Sequence, residues 1–184
     1  MPRHGDHAHA GHDENNHAVG IDSVEHLVEH LGEVVRDSTV LVCIGNDICG
    51  DDGAGPAVAE RLAGAVPWYI VNAQSVPESF LMKIVDRKPE TVVLIDALAF
   101  EAPVGTIELF QTGDLTGQSP STHGPAPLSF LEVLQMMHPC RAAVLGIQPK
   151  QVEFGTGICA EVQNAVETVV QAFRKLAEIT KKNT

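Results

Sequence analysis

The sequence predicts an α/β fold with three layers, in which helices cover both faces of a mostly parallel sheet of about five strands. Two observations support this prediction. Strand-like and helix-like segments alternate along the chain from residue 38 onward, which is typical of βαβ units. Several strand-like segments are almost continuously apolar, as expected for strands that are buried on both faces.

A polar segment and one helix precede this alternation. Residues 1–20 carry five histidines and few apolar side chains, so we expect a disordered tail. Leu27, Leu31 and Val34 form one stripe and predict a short helix within residues 21–37. We expect residues 38–180 to form a single domain, because the chain is too short for two domains of ordinary size.

The elements of this domain follow in order. Strands are predicted for five runs: STVLVCIG, WYIVNA, TVVLIDAL, GTIELF and AAVLGI. The run GTIELF alternates between apolar and polar residues and is expected at an edge, where an antiparallel strand is allowed. Helices are predicted for AVAERLAGA, with Pro56 at the first helical position, then for PESFLMKIVDR, PLSFLEVLQMMH and an amphipathic C-terminal segment that ends near residue 180.

Charge and composition limit the possible partners and location. The chain of 184 residues has 24 acidic and 12 basic side chains, which argues against a nucleic acid or an anionic membrane as partner. No apolar run approaches the ~20 residues that span a bilayer, and the N-terminus lacks the apolar core of a secretory signal. We therefore expect a cytoplasmic protein without membrane insertion. Its four cysteines form no CxxC pair, as expected for reduced thiols.

Three polar residues follow predicted strands at positions where α/β proteins bind ligands. Such sites form beyond the carboxyl ends of the strands, where we expect Asp52, Asp96 and His123. Each residue also has an ordinary interpretation, because an aspartate can stabilise a turn or a helix N-terminus and a histidine can lie on the surface. Together, two carboxylates and one imidazole favour a metal site with positions open for substrate.

Other functional motifs are absent or isolated. The glycines of residues 45–55 do not form G-x-G-x-x-G, and no P-loop lysine follows them. No G-x-S-x-G turn is present. The segment HLVEH, with His26 and His30, matches the H-x-x-E-H pattern of inverted zinc proteases. A zinc metalloprotease is therefore a minor alternative, although the motif lies before the predicted domain.

Four segments together resemble the hydrogenase maturation proteases, the endopeptidases that trim the large subunit of nickel–iron hydrogenases. They are CIGNDICGDDGAGPAVAERL, VVLIDAL, THGPAPLSFL and LGIQPKQVEFGTGI. The resemblance covers about residues 39–178 and is closest to the branch that matures formate-hydrogenlyase-type enzymes. It implies that the chain removes a C-terminal extension from the large-subunit precursor of a nickel–iron hydrogenase.

The resemblance also implies roles for the candidate residues. Asp52, Asp96 and His123 would be the catalytic residues and would contact nickel that is already bound in the precursor. Nickel would thus arrive with the substrate, and other divalent ions could substitute for it in vitro. Asn46 and Asp51 are candidates for orienting these ligands, and Asp51 is also expected to support the turn. Apolar residues near GDDGAGP and GTGI are expected to line a groove for the extended peptide.

Three questions stay open at this point. Nickel could polarise a carbonyl or water, or it could serve recognition only while one carboxylate acts as general base. A non-catalytic nickel chaperone or assembly factor for hydrogenase could use the same loop, and tight nickel binding without cleavage would favour it. The histidine-rich tail is either a nickel-binding segment, since imidazole suits that metal, or an inert solvated extension.

Overall fold

Five strands form one sheet in the computed structural model, which describes residues 20–111 and 126–182. The strands are Thr39–Ile44 (β1), Tyr69–Gln74 (β2), Thr91–Ala97 (β3), Ile107–Gln111 (β4) and Arg141–Ile147 (β5). Their order in the sheet is β2-β1-β3-β5-β4. All neighbours pair in parallel except β4, which pairs antiparallel with β5. The predicted α/β fold, with a mostly parallel sheet and one antiparallel edge strand, is confirmed.

The helices lie close to their predicted positions. They are Val24–Val34 (α1), Ala54–Leu62 (α2), Leu81–Val85 (α3), Ala126–Met137 (α4) and Ala160–Lys182 (α5). Helix α2 begins at Ala54, so Pro56 is its third residue and not its first. Proline is tolerated there because the N–H groups of the first turn have no partner within the helix. Two 3₁₀ turns, Gly50–Gly53 and Pro77–Phe80, lead into α2 and α3.

Each face of the sheet carries its own hydrophobic cluster. Alternate side chains of β1 point to opposite faces, with Leu41 and Cys43 in one cluster and Val40 and Val42 in the other. The first cluster is completed by α1, α2 and α5. The second is completed by α3 and α4. This double cover explains why the central strands are apolar at nearly every position.

Helix α1 packs against α5. Leu27 and Leu31 are fully buried in the first cluster, and Glu25 of α1 forms a 2.6 Å ion pair with Lys175 of α5. Just before α1, the backbone N–H of Ile21 donates a 2.9 Å hydrogen bond to the carbonyl oxygen of Ile107 in β4. Residues 21–34 therefore pack against the α/β core.

Two expectations from the sequence concern the ends of the chain and its relation to membranes. Apart from Gly20, the tail that was predicted to be disordered lies outside the described residues. Within the residues that the structure describes, none of the helices combines the length and apolar character needed to cross a bilayer.

Candidate active site

The strand order creates a crevice beyond the carboxyl ends of β1 and β3. The chain leaves β1 to form β2 on one side and later returns to form β3 on the other side. Loops that leave adjacent strands in opposite directions open a crevice, which is the usual ligand site of an open α/β sheet. Asp52 lies in the segment after β1, and Asp96 is the second-to-last residue of β3. Both predicted carboxylates therefore lie at this crevice.

Gly45 allows the backbone of Asp52 to fold back over the end of β1. Its φ of 135° is in a region that favours glycine, and a Cβ at this position would overlap the carbonyl oxygen of Asp52. That oxygen accepts a 3.1 Å hydrogen bond from the backbone N–H of Asn46. The Asp52 N–H in turn donates to the carbonyl oxygen of Cys49 at 3.2 Å. Asp52 is thus held at the edge of the sheet by backbone contacts and is 6% exposed.

Gly55 allows the first turn of α2 to lie directly against the sheet. A Cβ on Gly55 would overlap the carbonyl oxygen of Ile44 in β1 and would lie 2.8 Å from that of Ile95 in β3. The missing side chain lets the helix approach the ends of both strands. This close approach places the Asp52 segment next to Asp96.

The two carboxylates interact electrostatically. Burial raises the pKa of Asp96, and the negative charge of Asp52 raises it further, to about 7 from 3.8, although the backbone N–H of Ala97 acts in the opposite direction. A buried carboxylate beside a second one resists ionisation because both charges are removed from water and repel each other. A cation between them would relieve this repulsion, so the donor set suits a divalent metal ion.

Asp51 points away from this pair and joins distant segments. Its Oδ2 accepts hydrogen bonds from the backbone N–H groups of Lys150 at 2.8 Å and Gln151 at 3.1 Å. Its Oδ1 accepts from the N–H of Cys159 at 2.7 Å, at the start of α5. Burial raises the pKa of Asp51, but these three donors outweigh it and hold the pKa below its usual value. Asp51 fixes the loop before α5 against the turn that carries Asp52.

Asn46, the other predicted supporting residue, stabilises its own turn. Its side-chain Oδ1 accepts a 3.2 Å hydrogen bond from the backbone N–H of Ile48. Its backbone carbonyl oxygen accepts a 3.1 Å hydrogen bond from the backbone N–H of Cys49. This is the pattern of an Asx turn. Asn46 therefore shapes the loop from which Asp52 projects.

His123, the third predicted ligand, lies outside the described residues. The segment that contains His123 precedes helix α4. His138, just beyond the C-terminus of α4, bonds through Nε2 to the carbonyl oxygen of Pro89 at 3.0 Å, close to the amino end of β3. Helix α4 begins at Ala126, so the position of His123 relative to Asp52 and Asp96 stays a prediction. In the described ranges, no three His, Cys, Asp or Glu side chains form a group that could hold a metal ion.

Gln148 is a supporting residue that sequence reasoning missed. Its Oε1 accepts hydrogen bonds from the backbone N–H groups of Phe100 at 2.8 Å and Ala102 at 3.3 Å. Its Nε2 donates to the carbonyl oxygen of Pro149 at 3.2 Å. The side chain thereby orders the loop that follows Asp96. One signal was present, because a glutamine directly follows the apolar run of β5 at the ligand-binding edge.

A groove and an exposed apolar pair lie next to the Asp52 segment. The groove has a volume of about 530 Å³, and its walls include Gly53, Pro56 and Ile158. At the same rim, Ile48 and Phe154 are 53% and 80% exposed, and the Gly155 N–H donates a 2.8 Å hydrogen bond to the Ile48 carbonyl oxygen. Gly53 and Pro56 of GDDGAGP and Ile158 of GTGI thus line a groove, but Asp52 and Asp96 are not among its lining residues, and its use by a peptide stays a prediction.

These features define an open α/β protein whose candidate active site is a pair of buried carboxylates at the switch point of its sheet. A family model described as hydrogenase maturation protease matches residues 56–175. A curated relative, the hydrogenase 3 maturation protease of Escherichia coli (strain K12), is 33% identical over 135 residues, which cover 72% of this chain and 86% of the relative. The chain therefore belongs to the hydrogenase maturation protease family.

Solved structures support the same assignment. The crystal structure of the NiFe hydrogenase maturation protease HycI from Thermococcus kodakarensis KOD1 matches with a TM-score of 0.74 and 26% identity, covering 83% of this chain and 98% of that one. The solution structure of the endopeptidase HycI from Escherichia coli matches with a TM-score of 0.67 and 32% identity, covering 75% of this chain and 90% of that one. The family and fold inferred from the sequence are confirmed.

Proposed function

We propose that this chain is an endopeptidase that removes the C-terminal extension from a nickel-loaded large-subunit precursor of a nickel–iron hydrogenase. The observation that supports this proposal best is the pair Asp52 and Asp96, which lies at the sheet's ligand-binding edge with a strongly raised pKa at Asp96. Membership of the maturation protease family supplies the reaction class. The nickel ion belongs to the substrate in this proposal.

The donor set explains why the metal would be borrowed and not resident. Asp52 and Asp96 supply carboxylate oxygens, and His123 is proposed to supply the imidazole. Because Asp96 has a pKa of about 7, free nickel would compete with a proton at this ligand near neutral pH. Nickel held by the precursor would add the precursor's own contacts. Strong binding would then require protease, precursor and nickel together.

The described residues also account for positioning of the substrate. The groove beside Gly53, Pro56 and Ile158 continues between α2 and β2 and would accept an extended peptide. Contact with nickel at Asp52 and Asp96 would hold the scissile region near this groove and lower the entropic part of the barrier. The nickel ion would supply Lewis-acid polarisation of a carbonyl or of water. Ile48 and Phe154 would contact the folded part of the precursor.

The test is a cleavage assay with purified nickel-loaded precursor, in which the size shift of the large subunit is followed on a gel. Parallel reactions contain nickel-free precursor or the variants Asp52→Ala, Asp96→Ala and His123→Ala. Asp86→Asn is the control, because it removes an exposed carboxylate just after α3, outside the lining of the groove. We expect cleavage only with nickel-loaded precursor, near-complete loss in the three variants and retention in the control.

Two other outcomes would contradict the proposal. If the precursor stays intact while the wild-type protein holds stoichiometric nickel tightly, the chain is a nickel chaperone. Cleavage that survives all three substitutions would place the catalytic site elsewhere.

A further inference from the structure

Helix α1 carries two histidines side by side on its outer flank. His26 and His30 are four residues apart, their ring centroids are separated by 4.5 Å and the rings are inclined at 69°. The helix that carries them is fixed, since Leu27 and Leu31 are buried in the core. At its N-terminus, the side-chain oxygen of Ser23 accepts a 3.2 Å hydrogen bond from the backbone N–H of His26. The two rings are therefore presented from a rigid surface.

Both rings are oriented through the same nitrogen. Nδ1 of His26 lies 3.3 Å from a carboxylate oxygen of Asp22, and Nδ1 of His30 lies 2.9 Å from the carbonyl oxygen of His26. Both of these oxygen atoms can only accept a hydrogen bond, so Nδ1 carries the hydrogen in each ring. In the neutral imidazole, Nε2 then holds the lone pair. Metal-binding histidines are commonly oriented in this way, with one nitrogen donating to a carboxylate or carbonyl oxygen.

We propose that His26 and His30 bind one divalent transition-metal ion, nickel or zinc, through their Nε2 atoms. Residues four apart on a helix are surface neighbours, and imidazole favours these ions over magnesium or calcium. Since no three-ligand group occurs among the described residues, the ion has two ligands from α1 and completes its coordination with water. This is a binding site separate from the candidate active site, and the inference does not depend on the proposed function.

The site also gives the HLVEH segment a role other than proteolysis. An inverted zinc protease needs three protein ligands, an open position for water and a general base. Helix α1 provides two partly exposed imidazoles, while Leu27 and Leu31 of the same helix pack into the core. A metal at this position would be held and exchanged but would not activate water in a substrate cleft.

Thermal unfolding can distinguish this site from the other histidines. The protein tested is the full chain with the five tail histidines replaced by asparagine, so that binding by the tail does not contribute. His26 and His30 are held together only in the folded helix, so NiCl2 or ZnCl2 should raise Tm. With free metal about ten times above Kd, the folding equilibrium shifts about 11-fold, and we expect Tm to rise by about 3–5 °C.

Matched variants locate the effect. His26→Gln and His30→Gln should each abolish the rise in Tm, whereas His138→Gln, a histidine beyond α4, should keep it. MgCl2 should produce no comparable rise. Asp96→Asn should also retain the rise, because it alters only the rim. The proposal is overturned if the rise persists in both α1 variants, if it is lost in Asp96→Asn, or if neither metal changes Tm.

Discussion

Replacing Asp96 with asparagine removes a buried negative charge at the sheet edge while keeping the size of the side chain. Asp96 is 7% exposed, and its pKa is raised to about 7 from 3.8 by burial and by Asp52. Above pH 7 Asp96 is therefore ionised in both states, and its negative charge costs more free energy in the folded protein than in the unfolded chain. We expect Asp96→Asn to be more stable than the wild type at pH 8 and unable to cleave the precursor.

The magnitude follows from the pKa difference. A shift from 3.8 to about 7 is about 3 pKa units, or about 4 kcal/mol of destabilisation at pH 8. Between these pH values the folded state binds a proton that the unfolded state has lost, so the free energy of unfolding falls as pH rises and levels off above about 7. At pH 5 the same relation predicts a destabilisation of only about 2 kcal/mol. The advantage of the variant should therefore shrink by about 2–3 kcal/mol from pH 8 to pH 5.

Urea unfolding of both proteins at the two pH values measures this difference. The signal is the fluorescence of Trp68, the only tryptophan in the chain, which is 5% exposed. Chelator keeps the buffers free of metal, because a bound cation would stabilise the ionised wild-type protein. Any hydrogen bond that the amide of the variant gains or loses contributes equally at both pH values and cancels from the comparison.

A stability difference that is equal at pH 5 and pH 8 would refute this reasoning, because it would mean that Asp96 ionises alike in the folded and unfolded states. Asp47→Asn, in the exposed part of the same loop, controls for the removal of a carboxylate. A confirmed result would show that the fold accepts a less stable edge in order to keep a carboxylate at the candidate active site.

Three further predictions concern the surroundings of this pair. Asp51→Asn weakens the charge-assisted bonds to the loop before α5 and should lower the free energy of unfolding, measured in urea, by about 2–4 kcal/mol. Because the pKa of Asp51 is lowered, this difference in stability should disappear as pH falls below about 4. A difference that persists in acid would contradict the assignment of the effect to the charge of Asp51. Gly45→Ala would overlap the Asp52 carbonyl oxygen at a φ of 135° and should lower stability by at least about 2 kcal/mol, whereas an unchanged Tm would show that the loop can rearrange freely. Phe154→Ser should raise the KM for precursor several-fold without changing Tm. The control Met136→Ser, which alters an exposed residue of α4, should leave KM unchanged. Equal effects of the two substitutions on KM would exclude a specific contact at Phe154.

The sheet was predictable because its burial is recorded in local patterns. β1 and β3 are apolar at nearly every position because hydrophobic clusters cover both faces, and GTIELF alternates because it forms the edge strand β4. Boundaries were less predictable. Pro56 was expected to open α2, but the helix begins two residues earlier, because the first turn tolerates proline at several positions.

The candidate site was predictable in position but not in detail. Asp52 and Asp96 were expected to approach each other because parallel strands bring their carboxyl ends to one edge. Different roles were expected for Asp51 and Asp52, but the partners of Asp51 could not be inferred from the sequence. What separates them is a set of bonds from Asp51 to backbone groups about one hundred positions away. Such contacts leave no periodic pattern in the sequence. The position of His123 stays a prediction.

The hydrogen bond between Ile21 and Ile107 has a consequence for self-association. β4 is the last strand on its side of the sheet, and an uncovered edge strand offers its backbone groups to strands of other molecules. Residue 21 occupies the beginning of that edge, and α1 then turns the chain onto the neighbouring face. A protein shortened to begin at β1 would therefore lose a protective cap as well as a helix, and it would be prone to aggregate through β4.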